Sequence, residues 1–299
     1  MASFISRTVC CPSRPRLSRL LMINQTGRNI NDVRFSSSQS SAGGSDGNKQ
    51  DGGESKQAGS WLNNIFAPAR IHTGNRPHSR LLSASEFIYE MHHHDAKPEF
   101  ADDYIGKYEK YSNELIAKTN GKAELVGSFR VEVGSHHDDF IHIWRYHDGY
   151  KQVSDIHKQI KTDDQLVKLN KDLAKDLVKR ESQFMMSFSF WDHPKPQKLN
   201  SFYEMRSYVL KPGTMIDWAN GWSKGIKHRD NAVAGFFSQI GQLYTVHHIW
   251  RYEDLQARKD VRENAWRRPG WDECVAITVP NIVYLHSRWM SPNSFSPIS

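Results

Sequence analysis

The sequence predicts an α+β fold: two tandem ferredoxin-like modules packed sheet to sheet in a pseudo-two-fold barrel, preceded by a disordered N-terminal region. The first observation is a repeat, since Tyr-Glu-Met at 89–91 returns at 203–205 and His-Ile-Trp-Arg-Tyr at 142–146 returns at 248–252. Two spaced motifs in the same order indicate a duplication. The second observation is that each copy reads strand, helix, hairpin, helix, strand. Because one such sheet leaves a face bare, two copies gain free energy by burying those faces together.

The first 35 residues have the composition of a mitochondrial transit peptide. They contain six arginines and one acid, with serines and short apolar residues between them. Arg-rich, Ser-containing and acid-poor leaders are typical of mitochondrial targeting. The segment Arg34-Phe35-Ser36 resembles a processing site with arginine at minus three, which places the mature N-terminus at Ser36. A disordered basic tail is the alternative.

Residues 36–80 are expected to form a flexible linker and a docking arm. The part from 36 to 59 is mostly Ser, Gly, Gln, Asp and Lys, which cannot bury enough apolar surface to offset the entropy of ordering. Apolar residues at helical spacing follow at 61–66, and we expect them to dock on the body or on a partner.

Charge and cysteine usage exclude several classes of protein. The net charge of the chain is +7, and the leader supplies 6 − 1 = +5 of it. The remaining residues carry only about +2, so the net charge does not indicate a nucleic-acid partner. No apolar stretch approaches about 18 residues, so we expect no transmembrane span. Cys274 alone remains after cleavage, which excludes an intrachain disulfide and suits a reducing compartment.

The first module is expected at 81–197. Its predicted order is a strand at 86–92, a helix with Tyr104, Tyr108 and Tyr111 on one side, and a hairpin of strands at 125–133 and 140–146. Helices at 153–160 and 163–179 follow, the second capped by Thr162 and carrying a leucine stripe from 166 to 177. A strand at 184–191 closes the sheet.

The second module is expected at 198–299. A strand at 201–210 stops at Lys-Pro-Gly, and apolar residues at three and four spacing predict a helix from Met215 to Ile226. Strands at 235–240 and 242–252 form a hairpin through Gly241. A helix begins near Asp254 and ends near Trp266, then come a helical turn at 271–277 and a last strand at 281–290.

Seven polar and aromatic residues are candidates for a ligand pocket. Strand alternation puts the repeated His and Trp residues on one face of each sheet, and we expect the repeated Glu residues on the same face. If these faces line the barrel, they form a polar pocket for an acid or a planar ligand. The alternative is a buried polar network, because every candidate appears twice with no asymmetric addition. The seven are Glu90, His142, Trp144, Glu204, Arg206, His248 and Trp250.

We expect no catalytic residue, no cofactor and no metal. The run of histidines at 92–94 alternates between strand faces, so its members cannot reach one ion together. No phosphate-binding glycine loop or nucleophile elbow occurs. Residues 138–143 match an acidic-aromatic pattern read by autophagy receptors, but we expect them in a central strand, where no receptor reaches them.

Longer motifs resemble the NipSnap family of mitochondrial proteins. They are Lys211-Pro212-Gly213-Thr214-Met215, Gly235 to Gly241, Val246-His247-His248, Gly270-Trp271-Asp272-Glu273 and Ser187 to Trp191, and the resemblance covers about residues 60–299. It implies a tandem dimeric α/β-barrel fold and residence in the mitochondrion, in the matrix or at the outer surface when import fails.

The resemblance implies binding rather than an established enzyme activity. The family is associated with vesicular transport and with marking damaged mitochondria for selective autophagy by recruiting adaptors. Expected partners are therefore those adaptors, other mitochondrial proteins, and oligomers with itself or with paralogues. Because relatives of the barrel fold include haem-binding and oxygen-using enzymes, the alternative is a small-molecule or haem-binding barrel with oxygenase-like activity.

Overall fold

The computed structural model describes residues 77–136 and 138–299. The predicted leader, its cleavage site at Arg34, Phe35 and Ser36, and the linker and arm up to residue 76 lie outside these residues.

The two modules contain the same succession of elements, apart from a short first helix that precedes the first module's sheet. The first consists of α1 (His78–Leu82), β1 (Ile88–Ala96), α2 (Ala101–Lys118), β2 (Ala123–Val133), β3 (Asp139–Tyr146), α3 (Gly149–Thr162), α4 (Asp164–Lys175) and β4 (Leu177–Ser187). The second consists of β5 (Phe202–Leu210), α5 (Met215–Gly225), β6 (Ala232–Ile240), β7 (Thr245–Tyr252), α6 (Leu255–Ala265), α7 (Trp271–Thr278) and β8 (Ile282–Pro292). Short 3₁₀ turns lie at Pro98–Phe100, Ile226–His228 and Val279–Asn281.

Within the described residues, eight strands close into one antiparallel barrel in the order β1-β3-β2-β8-β5-β7-β6-β4. Each module contributes a four-stranded sheet, and the β2–β8 and β4–β6 pairs join the two sheets edge to edge. The fold class predicted from the repeat is therefore confirmed.

The strand register repeats as well. Glu90 lies opposite Trp144 in the β1–β3 pair, and Glu204 lies opposite Trp250 in the β5–β7 pair. The residues repeated in the sequence therefore occupy equivalent places in the two sheets.

Two hydrophobic layers fill the molecule. The barrel interior is packed with side chains such as Tyr89, Phe129, Tyr203 and Phe236. The layer between the sheets and the helices is more aromatic, and its members include Tyr104, Tyr108, Trp144, Trp218, Trp222 and Trp250. Because successive strand residues point to opposite faces, each strand supplies both layers.

The boundary between α4 and β4 differs from the prediction of a helix at 163–179 and a strand at 184–191. The helix ends at Lys175, and Leu177 already pairs with Ala96 of β1. A strand of 11 residues along β1 satisfies more backbone groups than another helical turn would. The cap also shifts by one residue, since the Asp163 carboxylate accepts hydrogen bonds from the backbone N–H groups of Gln165 and Leu166.

Candidate functional site

The seven predicted pocket residues lie between the sheet and the helices of their own module, outside the barrel. Trp144 and Trp250 pack in the layer beneath the helices, whereas their strand neighbours Ile143 and Ile249 point into the barrel. The expectation that these faces line the barrel is therefore wrong. Alternation identifies residues that share a face, but both faces of each sheet are covered here, and alternation does not say which one the helices cover.

His142 is fully satisfied in the first module. Its Nε2 is 2.8 Å from the Tyr104 hydroxyl, its Nδ1 is 2.8 Å from the Ser128 hydroxyl, and its ring stacks on Tyr108 with 3.5 Å between centroids. Burial lowers the pKa of this imidazole well below its usual value. His142 is therefore a neutral group held between two hydroxyls.

Glu90 is also committed to protein contacts. The Tyr146 hydroxyl donates to it at 2.7 Å, and the Nε2 atoms of His157 and His92 lie 3.0 and 3.3 Å from its carboxylate oxygens. Burial alone would raise the pKa of this carboxyl group, but the two histidines outweigh burial and hold the pKa well below its ordinary value. The carboxylate is therefore ionised throughout the physiological range.

Glu204 takes the equivalent place in the second module with different partners. Arg206 donates to it at 2.8 Å, Arg258 donates at 2.8 and 3.0 Å, and the Ser287 hydroxyl donates at 2.6 Å. Burial would raise its pKa, yet the hydrogen bond from Arg258 and the charge of Arg206 lower it to about 2. The single negative charge of Glu204 thus offsets only part of the positive charge of Arg206 and Arg258.

His248 is enclosed by aromatic rings and has 0% of its surface exposed. The centroids of Trp191, Trp222 and Trp218 lie 4.5, 4.8 and 5.1 Å from its own. Among the residues that the structure describes, neither ring nitrogen has a hydrogen-bond partner, and the Trp250 indole N–H also has none. Burial is the main cause of a pKa well below the usual value, so this imidazole is neutral.

Two substitutions between the repeats explain why His142 is satisfied and His248 is not. A third explains why the Trp144 indole N–H has the Tyr108 hydroxyl as its acceptor, whereas the Trp250 indole N–H has no acceptor among the described residues. The 114-residue offset places Trp218 and Trp222 where Tyr104 and Tyr108 stand, since 218 − 104 = 222 − 108 = 114. On the neighbouring strand, Ser128 lies opposite His142, and Gly235 lies opposite His248.

Each substitution removes an accepting oxygen, because indole nitrogens only donate and glycine has no side chain. The two modules therefore differ in the partners of the repeated residues and not in the repeated residues themselves. A position-by-position comparison of the two repeats contains the signal that reveals the difference.

Each module has a cavity between its sheet and its helices. The first-module cavity has a volume of about 300 Å³, and its lining includes Glu90, His92, His94, His157 and Arg180. The second-module cavity, about 420 Å³, lies between β5, β8 and helices α5, α6 and α7, and its lining includes Arg206, Arg229, Arg258, Arg262, Trp222 and Trp271. Neither His142 nor His248 lines either cavity.

A third cavity of about 410 Å³ opens at one end of the barrel and is lined from both modules by residues that include His93, His247 and Arg288. Because successive strand residues point to opposite faces, the His93 side chain points away from those of His92 and His94. The Nε2 atom of His93 is 3.0 Å from Asp139, whereas His92 and His94 form hydrogen bonds with tyrosines of α2. Across the described ranges, no group of three or more His, Cys, Asp or Glu residues has an arrangement suited to a metal ion.

Residues 139–143 lie in β3, which runs between β1 and β2, and the side chains of these residues are buried. The acidic-aromatic pattern is therefore internal. No helix in the described part of the chain is long and apolar enough to cross a membrane.

The chain matches proteins of one family over most of its length. The NIPSNAP family model matches residues 203–297, within the second module. Protein NipSnap of Drosophila melanogaster is 43% identical over 243 residues, which cover 80% of this chain and 88% of that protein. Protein NipSnap homolog 2 of Homo sapiens is 38% identical over 248 residues, covering 80% of this chain and 85% of the relative.

A solved structure supports the fold alone. It is a putative monooxygenase from Lactobacillus acidophilus, with a TM-score of 0.51 and 12% identity, covering 70% of this chain and 94% of that one. Together with the shared motifs, the sequence matches assign the family. The chain belongs to the NipSnap family.

Proposed function

We propose that the protein acts by binding rather than by catalysis, as a mitochondrial scaffold that recruits selective-autophagy adaptors when import fails. One observation carries the non-enzymatic part: the repeated carboxylates are enclosed by protein donors, and the repeated histidines are buried away from every cavity described above. Glu90 and Glu204 are enclosed by donors, and His142 and His248 are neutral and 1% and 0% exposed. A general acid or base needs a pKa near the working pH and access to the reacting group.

The composition of the leader supports the mitochondrial part. Moving one charge across 100 mV is worth about 2.3 kcal/mol, so the five net charges contribute roughly 10 kcal/mol per 100 mV if all of them cross. Loss of the membrane potential removes this driving force. The chain then remains at the outer surface, where its folded modules meet adaptors. A role in vesicular transport is a second binding function that the family suggests.

The alternative, a haem-binding barrel with oxygenase-like activity, requires a histidine that reaches a bound cofactor. The two repeated histidines face aromatic side chains of the helices and not a cavity. Titration of the purified full chain with haem, followed at the Soret band, tests this alternative. Saturable binding at micromolar haem would favour it over the scaffold function.

Protease shaving of depolarised mitochondria tests the proposed function. We expect a population of the uncleaved chain that is accessible to protease at the outer surface after depolarisation and that co-purifies with autophagy adaptors. The control is a variant with Arg7, Arg14, Arg16 and Arg19 replaced by Gln, which should be accessible even in polarised mitochondria. A chain that remains fully protected after depolarisation would contradict the proposal.

A further inference from the structure

We propose that the second-module cavity binds an aromatic organic anion, with a carboxylate head group held by arginines and a flat body packed on tryptophan. This inference goes beyond the scaffold function, which does not require a small ligand.

The cavity has an excess of positive charge. Its lining contains five cations, Arg206, Arg229, Arg258, Lys259 and Arg262, and one acid, Glu263. Behind the wall, Glu204 supplies one further negative charge. Counting both acids leaves 5 − 2 = +3. A concave site of one sign attracts ions of the other sign and retains them more strongly than open water does.

Two of these arginines have no hydrogen-bonding or ionic partner in the described part of the chain. Within the described residues, the side chains of Arg229 and Arg262 make no hydrogen bond and no ion pair. Arg229 is 6% exposed, and its guanidinium lies 4.6 Å from the centroid of Trp250 and 5.3 Å from that of Trp271. A buried cation without a counter-ion is costly, so an anion that pairs with this guanidinium stabilises it.

The pKa values of these arginines point in the same direction. Burial lowers the pKa of Arg229, and the charges of Arg262 and Arg206 lower it further. Burial also lowers the pKa of Arg262, with Arg206 and Arg258 adding to the effect. The cations therefore repel one another across the cavity.

Helix α6 departs from its counterpart in a way that creates the cavity. The N-cap residues Asp148 and Asp254 are equivalent, since 254 − 148 = 106. At this offset, the buried face of α3, formed by Gln152, Val153 and Ile156, becomes Arg258, Lys259 and Arg262 in α6. Ala265 is the one buried residue of α6, all of whose residues are described. The second module thus replaces a buried helix face with a cationic wall.

The remaining walls suit a flat apolar body. Trp222 and Trp271 pack edge to face with 5.8 Å between centroids, and Ile282 and Leu285 of β8 complete an apolar surface. The volume of about 420 Å³ falls within the range of small-molecule sites. Because the planar guanidinium fork matches a carboxylate with two parallel hydrogen bonds, an aromatic carboxylate fits both walls.

The first-module cavity is an internal comparison. Its charged lining contains Lys161 and Arg180 against Glu90 and Glu181, which is 2 − 2 = 0 apart from the histidines. We therefore expect one anion per chain and not two.

Isothermal titration calorimetry of the purified full chain tests the inference. The probes are 2-naphthoate and 2-naphthamide, which have nearly the same shape but differ by one negative charge. We expect the acid to bind once per chain in the micromolar range and the amide to bind at least tenfold more weakly. Arg262→Gln and Arg229→Gln should each weaken binding of the acid about tenfold.

The control is Arg267→Gln, which removes the same charge from an exposed residue in the turn after α6. Its side chain donates a hydrogen bond to the Asn264 side-chain oxygen. It should bind the acid as the parent does. If Arg229→Gln does not fold, the affinity of Arg262→Gln still tests the inference. Arg262 lies half-buried on an outer helix, so we expect this variant to fold. Equal binding of acid and amide, no binding of the acid, or unchanged affinity in Arg262→Gln would overturn the inference.

Discussion

Replacing Glu204 with Gln should destabilise the protein strongly at neutral pH. The substitution keeps the size of the side chain but removes the one negative charge that Arg206 and Arg258 share. Two guanidinium groups would then remain beside Arg229 and Arg262, for which the described ranges supply no ion pair. Removing one member of a buried ion pair typically costs about 3–5 kcal/mol, because the other member stays buried without compensation.

The pKa of Glu204 gives a similar magnitude. Its value falls from 4.5 to about 2 in the folded protein, and this difference corresponds to about 3 kcal/mol of stability at pH 7. Because the folded-state pKa lies below the unfolded one, the stabilisation is complete above the unfolded pKa and is lost as the pH falls through the folded value. At pH 3 about half of it should remain.

Urea unfolding of the parent and Glu204→Gln at pH 7 and pH 3 measures both effects. We expect a free energy of unfolding lower by about 3 kcal/mol at pH 7, which is roughly 6–12 °C in the melting temperature of a domain of this size. The gap should narrow at pH 3. The control is Glu263→Gln, whose exposed pair with Lys259 at 3.7 Å should contribute less than about 1 kcal/mol. A gap below 1 kcal/mol at pH 7, or the same gap at both pH values, would refute the reasoning.

Three further results follow from the same contacts. Tyr108→Phe should lower the free energy of unfolding by about 1–3 kcal/mol, measured in urea, because the Trp144 indole N–H loses its acceptor at 2.9 Å. Gly235→Ala should lower stability by about 1–3 kcal/mol in a thermal melt, since a Cβ atom there would overlap the Trp191 ring. Cys274 should react slowly with iodoacetamide at pH 8 in the native protein and quickly in urea, because burial raises the pKa of its thiol to about 11.

Matched variants separate these effects from general damage. Tyr150→Phe removes a hydroxyl from a residue that is 44% exposed and should change stability little. Gly106→Ala adds a Cβ atom to open space within α2 and should be neutral or stabilising by up to about 1 kcal/mol. Peptide mapping distinguishes Cys274 from the leader cysteines. Equal losses of stability in Tyr108→Phe and Tyr150→Phe, or in Gly235→Ala and Gly106→Ala, would contradict these expectations. Equal rates of Cys274 labelling in native and unfolded protein would also contradict them.

The fold was largely predictable because the same order of elements can be inferred independently from each copy of the repeat. Aromatic spacing along α2 and α5 and the hairpin signals recur in both copies, so each copy supports the reading of the other. The α4–β4 boundary was not predictable from local pattern. Leu177 continues the spacing of Leu166, Leu169 and Leu173, yet the ladder with β1 takes it into a strand. Long-range pairing overrides a local periodicity that fits either element.

The membership of the repeated polar network was predictable but its location was not, and of the seven predicted residues only Arg206 lines the second-module cavity. Alternation brings Glu90, His142 and Trp144 together, but which face of the sheet the helices cover depends on the packing of the whole chain. Arg229 and Arg262 escaped notice because they have no counterpart in a repeated motif. They come together only when the turn after α5 and the inner face of α6 meet beside β5. A comparison of α3 with α6 at the 106-residue offset shows the loss of apolar residues, and that is the signal available in the sequence.

A crystal structure of the full chain with 2-naphthoate is the most direct test that function resides between the second sheet and its helices. We predict density for the carboxylate beside Arg229 and Arg262, with the naphthalene ring against Trp271. Density for the acid in the barrel-end cavity beside His247 and Arg288, or equally in both modules, would contradict the asymmetry between the repeats on which the anion site rests.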